Sequence, residues 1–353
     1  MPPYSGEAEV SVKITKEVLG YLDSCYACAG IEIDGKGKFL VASEERQSCL
    51  MIDEETGVIS TVWKDIGGTM SIVPLPGRNG EFLASQNFYP GFNAKESTIV
   101  WAAFRDEKWK VKTLFKLPYI HRFDILESDN GRKYFIGCTL CEYKKSLDDW
   151  SSGGHILVCD MPEDLIQPFD LKSIKRGLIR NHGYYKKRIN GLDIGVVTCD
   201  SGAYMVKPPN RCDKDWNISQ LIDWPVSDLA FVDIDNDGNE ELITIEPFHG
   251  NSFNIYKKRN KVYEKVYCYS GEMEFGHIVW GGRLAGVPTA VGGYRALSKE
   301  LFYVQYVNGE YKTVTIDEGG GPCNMFAVCH EDKDVLVVTN GALNQITKYV
   351  VTK

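Results

Sequence analysis

Six histidines are the residues of this chain best suited to chemistry. His121, His182 and His277 each stand where an apolar strand begins, in "IHRFDIL", "NHGYYKKRI" and "GHIVWGG". Neutral imidazole is the commonest protein ligand for Zn²⁺ and also suits Mn, Fe and Ni. Three such rings converging, with a fourth coordination position open, would polarise a carbonyl or activate a water. Carboxylates end several neighbouring apolar runs: Glu44 and Glu45 after "FLVAS", Asp200 after "GVVTC", Glu246 after "LITI". His249 follows Glu246 closely, so the two form a candidate catalytic pair, a general base and its orienting partner.

A second cluster lies in "DLAFVDIDNDGNEELITI", where Asp233, Asp235 and Asp237 alternate and Gly238 permits a sharp bend. Hard Ca²⁺ takes six to eight oxygens, which spaced carboxylates supply. The loop is not an EF-hand. That loop needs a bidentate glutamate at its twelfth position and a helix on each side. Here the twelfth position is Thr244, Glu241 comes earlier, and β-branched residues flank the loop as strands. The expected calcium ligands are Asp233, Asp235, Asp237 and Glu241, in a turn between two strands.

Strands of this kind recur. The segment from His277 to Ile316 reads as strand, turn, strand, loop, strand, an Asn308–Gly309 turn and a last strand. Asn-Gly between alternating apolar runs is a strong hairpin signal. Comparable second strands end at Ser43, Ser85, Cys138, Cys199, Ile245, Gly293 and Thr339. Their partners begin near Ala27, Met70, Ile120, His182, Ser227, Gly276 and Cys323, a period of roughly fifty residues, which means propeller blades of four strands. The last blade runs out of chain, so residues 8–22 are expected to supply its missing outer strand and close the ring. The fold class is therefore all-β, a seven-bladed β-propeller formed by residues 1–353 as one domain. A short helix is expected over Met161–Ile174 in the third blade.

Asp233, Asp235, Asp237, Gly238, Glu241 and Leu242 match, position by position, the D-x-[DN]-x-D-G-x-x-[DE]-L signature of the FG-GAP (VCBS-like) propeller repeat, which this unit resembles. Together with "EFGHIVWGGRLAG…TAVGGYR", the pattern is similar to the propeller part of aldos-2-ulose dehydratase-type enzymes. That resemblance implies a metal-dependent lyase acting on a keto-sugar, without the cupin domains that such enzymes carry.

In a propeller the first strands line the central channel, and their starts share a face with the loops joining second and third strands. His121, His182 and His277 thus belong at one channel mouth as ligands of a divalent transition metal (Zn, Mn, Fe or Ni). His249 and His155 belong to loops of the same face; His330 belongs to the other. Alternatively, each histidine caps a strand or bonds a neighbouring blade. Arg295, Tyr294, Arg122, Asp200, Asn324 and His155 are candidate substrate-binding residues at this rim, with Gln86, Asn87 and Tyr89 beside them. The insertion Cys141–Gly154 falls here too, and Trp150 could tip a lid. A basic run, Lys172–Arg188, reads as a solvated crossover or as a local field for an anionic substrate.

A net charge of −8 argues against nucleic acid and anionic membranes as partners. No apolar stretch reaches membrane-span length. The eleven cysteines, with no export signal evident in "MPPYSGEAEV", read as free thiols of a cytoplasmic protein. The Cys25/Cys28 and Cys138/Cys141 pairs read as buried structural residues, since a C-x-x-C on a strand turns its sulfurs to opposite faces. Two functions of different class emerge. One is a metal-dependent enzyme, a carbon–oxygen lyase, acting on a small, polar, sugar-like substrate at the channel mouth, behind which stands a third reading, a hydrolase such as a lactonase with a channel metal. The other is a non-catalytic propeller that binds a glycan or protein partner, as FG-GAP lectins and adhesion domains do.

Overall fold

In the computed structural model, which describes residues 12–45, 47–89 and 93–352, seven four-stranded antiparallel sheets follow one another in chain order. Blade one spans residues 25–63, blade two 72–116, blade three 120–178 and blade four 184–222. Blades five and six span 228–268 and 274–317. Blade seven takes three strands from residues 322–352, and its outer strand is Lys13–Tyr21, antiparallel to Gln345–Thr352. The chain is a seven-bladed β-propeller; Lys13–Tyr21 falls within the stretch 8–22 expected to close it, of which residues 8–11 lie outside the described residues.

The second strand of each blade is sandwiched between neighbouring blades and loses its alternation. Leu40, Val41 and Ala42 of Lys36–Ser43 are fully buried, as are Val335–Val338 in all but trace. Outer strands are largely solvated, as in Glu310–Asp317, where Lys312–Thr315 are all exposed. Among the described residues the one helical element is a single 3₁₀ turn, Ala94–Glu96. The expected helix over Met161–Ile174 does not form; irregular chain leads instead into the strand Lys172–Leu178. Pro162 and Pro168 remove backbone donors there. Leu165, Phe169 and Leu171 pack as separate anchors into the core between blades two and three.

One repeated backbone feature positions the site. Ser24, Gly68, Tyr119, Arg180, Phe275 and Gly321 all adopt positive φ, between 50° and 69°. Two residues after each come Tyr26, Met70, His121, His182, His277 and Cys323; Ser227 completes the seven behind Pro225, whose ring forbids positive φ. At Tyr26, His121, His277 and Cys323 the pairing register with the second strand shifts by a residue. A bulge leaves its extra residue out of the ladder and re-aims its side chain. These seven equivalent positions make a ring around one mouth of the channel. It also explains why His182 and Met70 stand two residues ahead of the strands Tyr184–Ile189 and Ile72–Pro74.

Candidate functional site

Within the ring, the ligand atoms of His182, His249 and His277 lie within 4.8 Å of one another. His182 Nε2 and His249 Nε2 are 3.0 Å apart. Tetrahedral Zn²⁺ with Zn–N bonds of about 2.0–2.1 Å separates its nitrogens by about 3.3–3.4 Å. The His182–His249 pair is thus close to the spacing a single ion requires, and His277 lies within 4.8 Å of both.

Their surroundings fix the rings. His277 Nδ1–H donates to the Cys323 carbonyl at 2.5 Å, which leaves Nε2 as the lone-pair nitrogen. His182 Nδ1 faces Ser227 Oγ at 3.4 Å, and the same hydroxyl oxygen accepts the His249 backbone N–H at 3.1 Å. The His249 ring is held between Phe248 and Phe275, with centroids at 4.0 and 4.3 Å. Such outer partners set tautomer and orientation in metal centres. His121 stands apart from the three: it stacks on His182 at 4.5 Å and donates from Nδ1 to the His182 carbonyl at 3.0 Å. Of the histidines expected to converge, His182 and His277 do, and His249 takes the third place.

Burial holds all four rings neutral. His249 is pushed down to about 3, first by desolvation and then by the charges of Arg295, Arg122 and Arg180. His121, His182 and His277 lie well below the usual imidazole value for the same first reason. A neutral imidazole keeps the lone pair that a metal needs.

A cavity of about 370 Å³ opens beside them, lined among others by Tyr26, Glu44, Tyr89, His249, His277 and Arg295. Arg295 bridges Glu44 at 3.0 Å, and Tyr89 Oη–H donates to the other Glu44 oxygen at 3.2 Å. The guanidinium lies over the Tyr26 and Phe275 rings. From the insertion Cys141–Gly154, Trp150 packs edge-on against Phe248 at 5.1 Å, so the enlarged blade reaches the loop that carries His249.

The remaining candidates are placed elsewhere. Glu246 does not meet His249. Its carboxylate accepts from Thr244 Oγ1, Asn254 Nδ2 and Tyr256 Oη of blade five and from Trp224 Nε1 on the connection from blade four, at 2.6–3.1 Å, a full set of donors. Tyr294 is fully buried in the core between blades five and six and bonds Ser298 at 2.6 Å. Asp200 pairs with Arg180 at 3.4 Å; His155 faces Ser173 and Glu142. Arg122 and Asn324 lie deeper, in a second cavity of about 230 Å³ along the channel that shares His277 and Met70 with the first. In the basic run, Lys172, Arg180, Lys186, Lys187 and Arg188 each pair with a carboxylate. Tyr26 went unread because a tyrosine at the ring position of blade one carries no metal-ligand signal.

The acid-rich turn lies at the opposite end of its hairpin from the histidines. Asp233 accepts the Asp237 and Gly238 N–H groups at 3.0 Å, and Gly238 has φ 88°. Lys257 brings its ammonium among the carboxylates, touching Asp235 and lying 2.7 Å from Asp237 and 3.4 Å from buried Glu241. A calcium ion taking these oxygens at about 2.3–2.6 Å requires Lys257 to swing out. All eleven cysteines are free thiols. Burial pushes Cys25 up to about 12 and Cys141 to about 11, which keeps them protonated and inert.

Asp228, in the deeper cavity, is raised to about 6 by burial, against the opposing pull of Arg122. Its folded value lies above the unfolded one of about 3.9, so the native state prefers it protonated. Stability is therefore full below about pH 4 and declines as pH rises through 6. Asp228→Asn is expected to be more stable than the parent by about 3 kcal/mol at pH 8 and equal to it at pH 4. Urea unfolding at both pH values checks this; an equal difference at both defeats it.

Comparison with family models and with curated proteins returned no match. Among solved structures, the fold is similar to Sqt1 of Saccharomyces cerevisiae, with TM-score 0.54, 8% identity, and 91% of this chain and 82% of that one covered. It is also similar to a putative 6-phosphogluconolactonase from Bacteroides uniformis, with TM-score 0.54, 12% identity and coverage of 90% and 93%. At these identities the likeness is one of fold. Among the described residues, no helix is long and apolar enough to cross a membrane.

Proposed function

We propose that this propeller is a metal-dependent enzyme whose ion is held by His182, His249 and His277 and whose small, polar, sugar-like substrate occupies the adjoining cavity. The observation that carries the reading is the convergence of three neutral, oriented imidazoles beside a cavity lined by an arginine, carboxylates and tyrosines. The metal would be a divalent transition ion, for which three nitrogens and an open position are a catalytic set. The resemblance to aldos-2-ulose dehydratases favours a lyase: a C–H bond α to a carbonyl and a C–O bond at the next carbon break, C=C forms, and water leaves. With His249 in the ligand set, Glu246 saturated and Glu44 paired with Arg295, the base in that elimination falls to Glu45, the other carboxylate of the cavity. The putative lactonase with a similar fold makes lactone hydrolysis the neighbouring reaction class to screen.

Elemental analysis of untagged protein beside a His182/His249/His277→Ala triple variant tests the proposal. Near-stoichiometric Zn, Mn, Fe or Ni, absent from the folded variant, is the expected result. Metal content unchanged in the variant would instead favour a non-catalytic binding propeller. Sqt1 gives that second reading a precedent of fold.

A further inference from the structure

Glu44 is a carboxylate of the protein held in a cradle that could hold another. It follows the second strand of blade one, while Arg295 ends the second strand of blade six, far away in sequence. Arg295 Nη2 meets Glu44 Oε2 at 3.0 Å and Nη1 reaches Oε1 at 3.5 Å, while Tyr89 Oη–H donates to Oε1 at 3.2 Å. The planar guanidinium fork matches the two oxygens of a carboxylate, and its geometry is fixed before binding because it rests over Tyr26 and Phe275. Fork, phenol and aromatic floor all line the cavity beside His249 and His277. The pair is only partly enclosed, with Arg295 25% and Glu44 13% exposed, so an incoming carboxylate can reach the guanidinium by moving Glu44 aside.

We propose that the substrate is a sugar acid whose carboxylate exchanges with Glu44 on Arg295 while its hydroxyl or carbonyl oxygens face the histidine centre. The proposal rests on the metalloenzyme reading for the second contact but not for the first. Glu44 acts as an internal competitor: it neutralises Arg295 in the empty site and lowers the affinity for weakly bound anions. A buried guanidinium that keeps a partner in both states avoids the penalty of an unpaired charge.

The test is calorimetric titration of D-glucuronate, D-gluconate and D-glucose into the wild type, Glu44→Gln and the Glu44→Gln/Arg295→Gln double variant. Metal content and circular dichroism are measured on the same samples. Glucuronate and glucose differ only in a carboxylate replacing a CH₂OH, so their ratio isolates the cradle. The expected result is a preference for the acids of about tenfold in wild type and about a hundredfold in Glu44→Gln, falling to none in the double variant. Acids that bind no better than glucose, or an affinity for acids that Glu44→Gln leaves unchanged or weakens, would overturn it. Metal-free protein that still prefers the acids through Arg295 would support the cradle while removing the metalloenzyme reading. The two ideas therefore fail separately.

Discussion

Alanine at His249 is expected to lower the affinity of the folded protein for Zn²⁺ by about a thousandfold, whereas alanine at His121 costs only about tenfold. The contrast follows from geometry. His249 offers its Nε2 to the centre, 3.0 Å from His182 Nε2, and its loss leaves two ligands where an open catalytic site needs three. Apparent binding energies of about 10–16 kcal/mol for four-ligand zinc sites put a single ligand at about 3–4 kcal/mol, or two to three decades. His121 acts through its neighbour: it stacks on His182 and bonds that residue's carbonyl, a supporting contact of the kind worth about 10–100-fold. His182→Ala and His277→Ala should match His249→Ala. Competition against a chromophoric chelator at fixed pH measures all four variants. If His121→Ala weakened binding as much as His249→Ala, the centre would lie on the other side of His182, and the ligand set argued above would be wrong.

The ring of first-strand starts was readable from sequence because propeller repetition places equivalent residues at equivalent depth. His121, His182 and His277 could be assigned to one mouth from the hairpin count alone. What the repeat could not show was which rings face one another. His121 and His277 each turn Nδ1 toward the carbonyl of the equivalent residue in the next blade, yet their neighbours differ. Beyond His277 the bonded carbonyl belongs to Cys323; beyond His121 it belongs to His182, so the second imidazole becomes a stacking partner and not a co-ligand. His249 enters from a loop at positive φ of 46°, a turn with no periodic signature. Glu246 illustrates the opposite limit. As a carboxylate after an apolar run it resembles a catalytic base, and only the three-dimensional arrangement brings Trp224, Thr244, Asn254 and Tyr256 around it. The calcium-type signature was visible at every position, but Lys257 comes from the next strand of the sheet, and nothing in the loop announces it. Strand order and blade count, by contrast, depend on local alternation and turn residues, which is why they survive without knowledge of side-chain partners.

Removal of the closing strand, in a chain beginning at Leu22, is expected to have the largest effect on stability. Lys13–Tyr21 pairs with Gln345–Thr352 from Lys13↔Thr352 to Tyr21↔Gln345, with one register shift between Val18 and Gly20. It also supplies the Lys16–Asp317 and Glu17–Lys348 ion pairs, which bind blade seven to blade six and to its own outer strand. At about 0.5–1.5 kcal/mol net per backbone hydrogen bond, less the chain entropy regained, the loss comes to about 5 kcal/mol. For a chain of this size that corresponds to a fall of about 7 °C in melting temperature. The exposed edge of Gln345–Thr352 would in addition template pairing between copies, so the shortened chain should aggregate on heating where the parent does not. Leu22 and Ser24 would keep their bonds to Asn344, so blade one should still dock and the deficit should be confined to the outer edge of blade seven. A synthetic peptide of residues 12–22 should then bind in trans by strand addition and restore the melting temperature in a concentration-dependent way. A shortened chain that melts with the parent would show that contacts between the inner strands of blades one and seven close the ring by themselves. Restoration by the peptide would show that closure resides in the ladder.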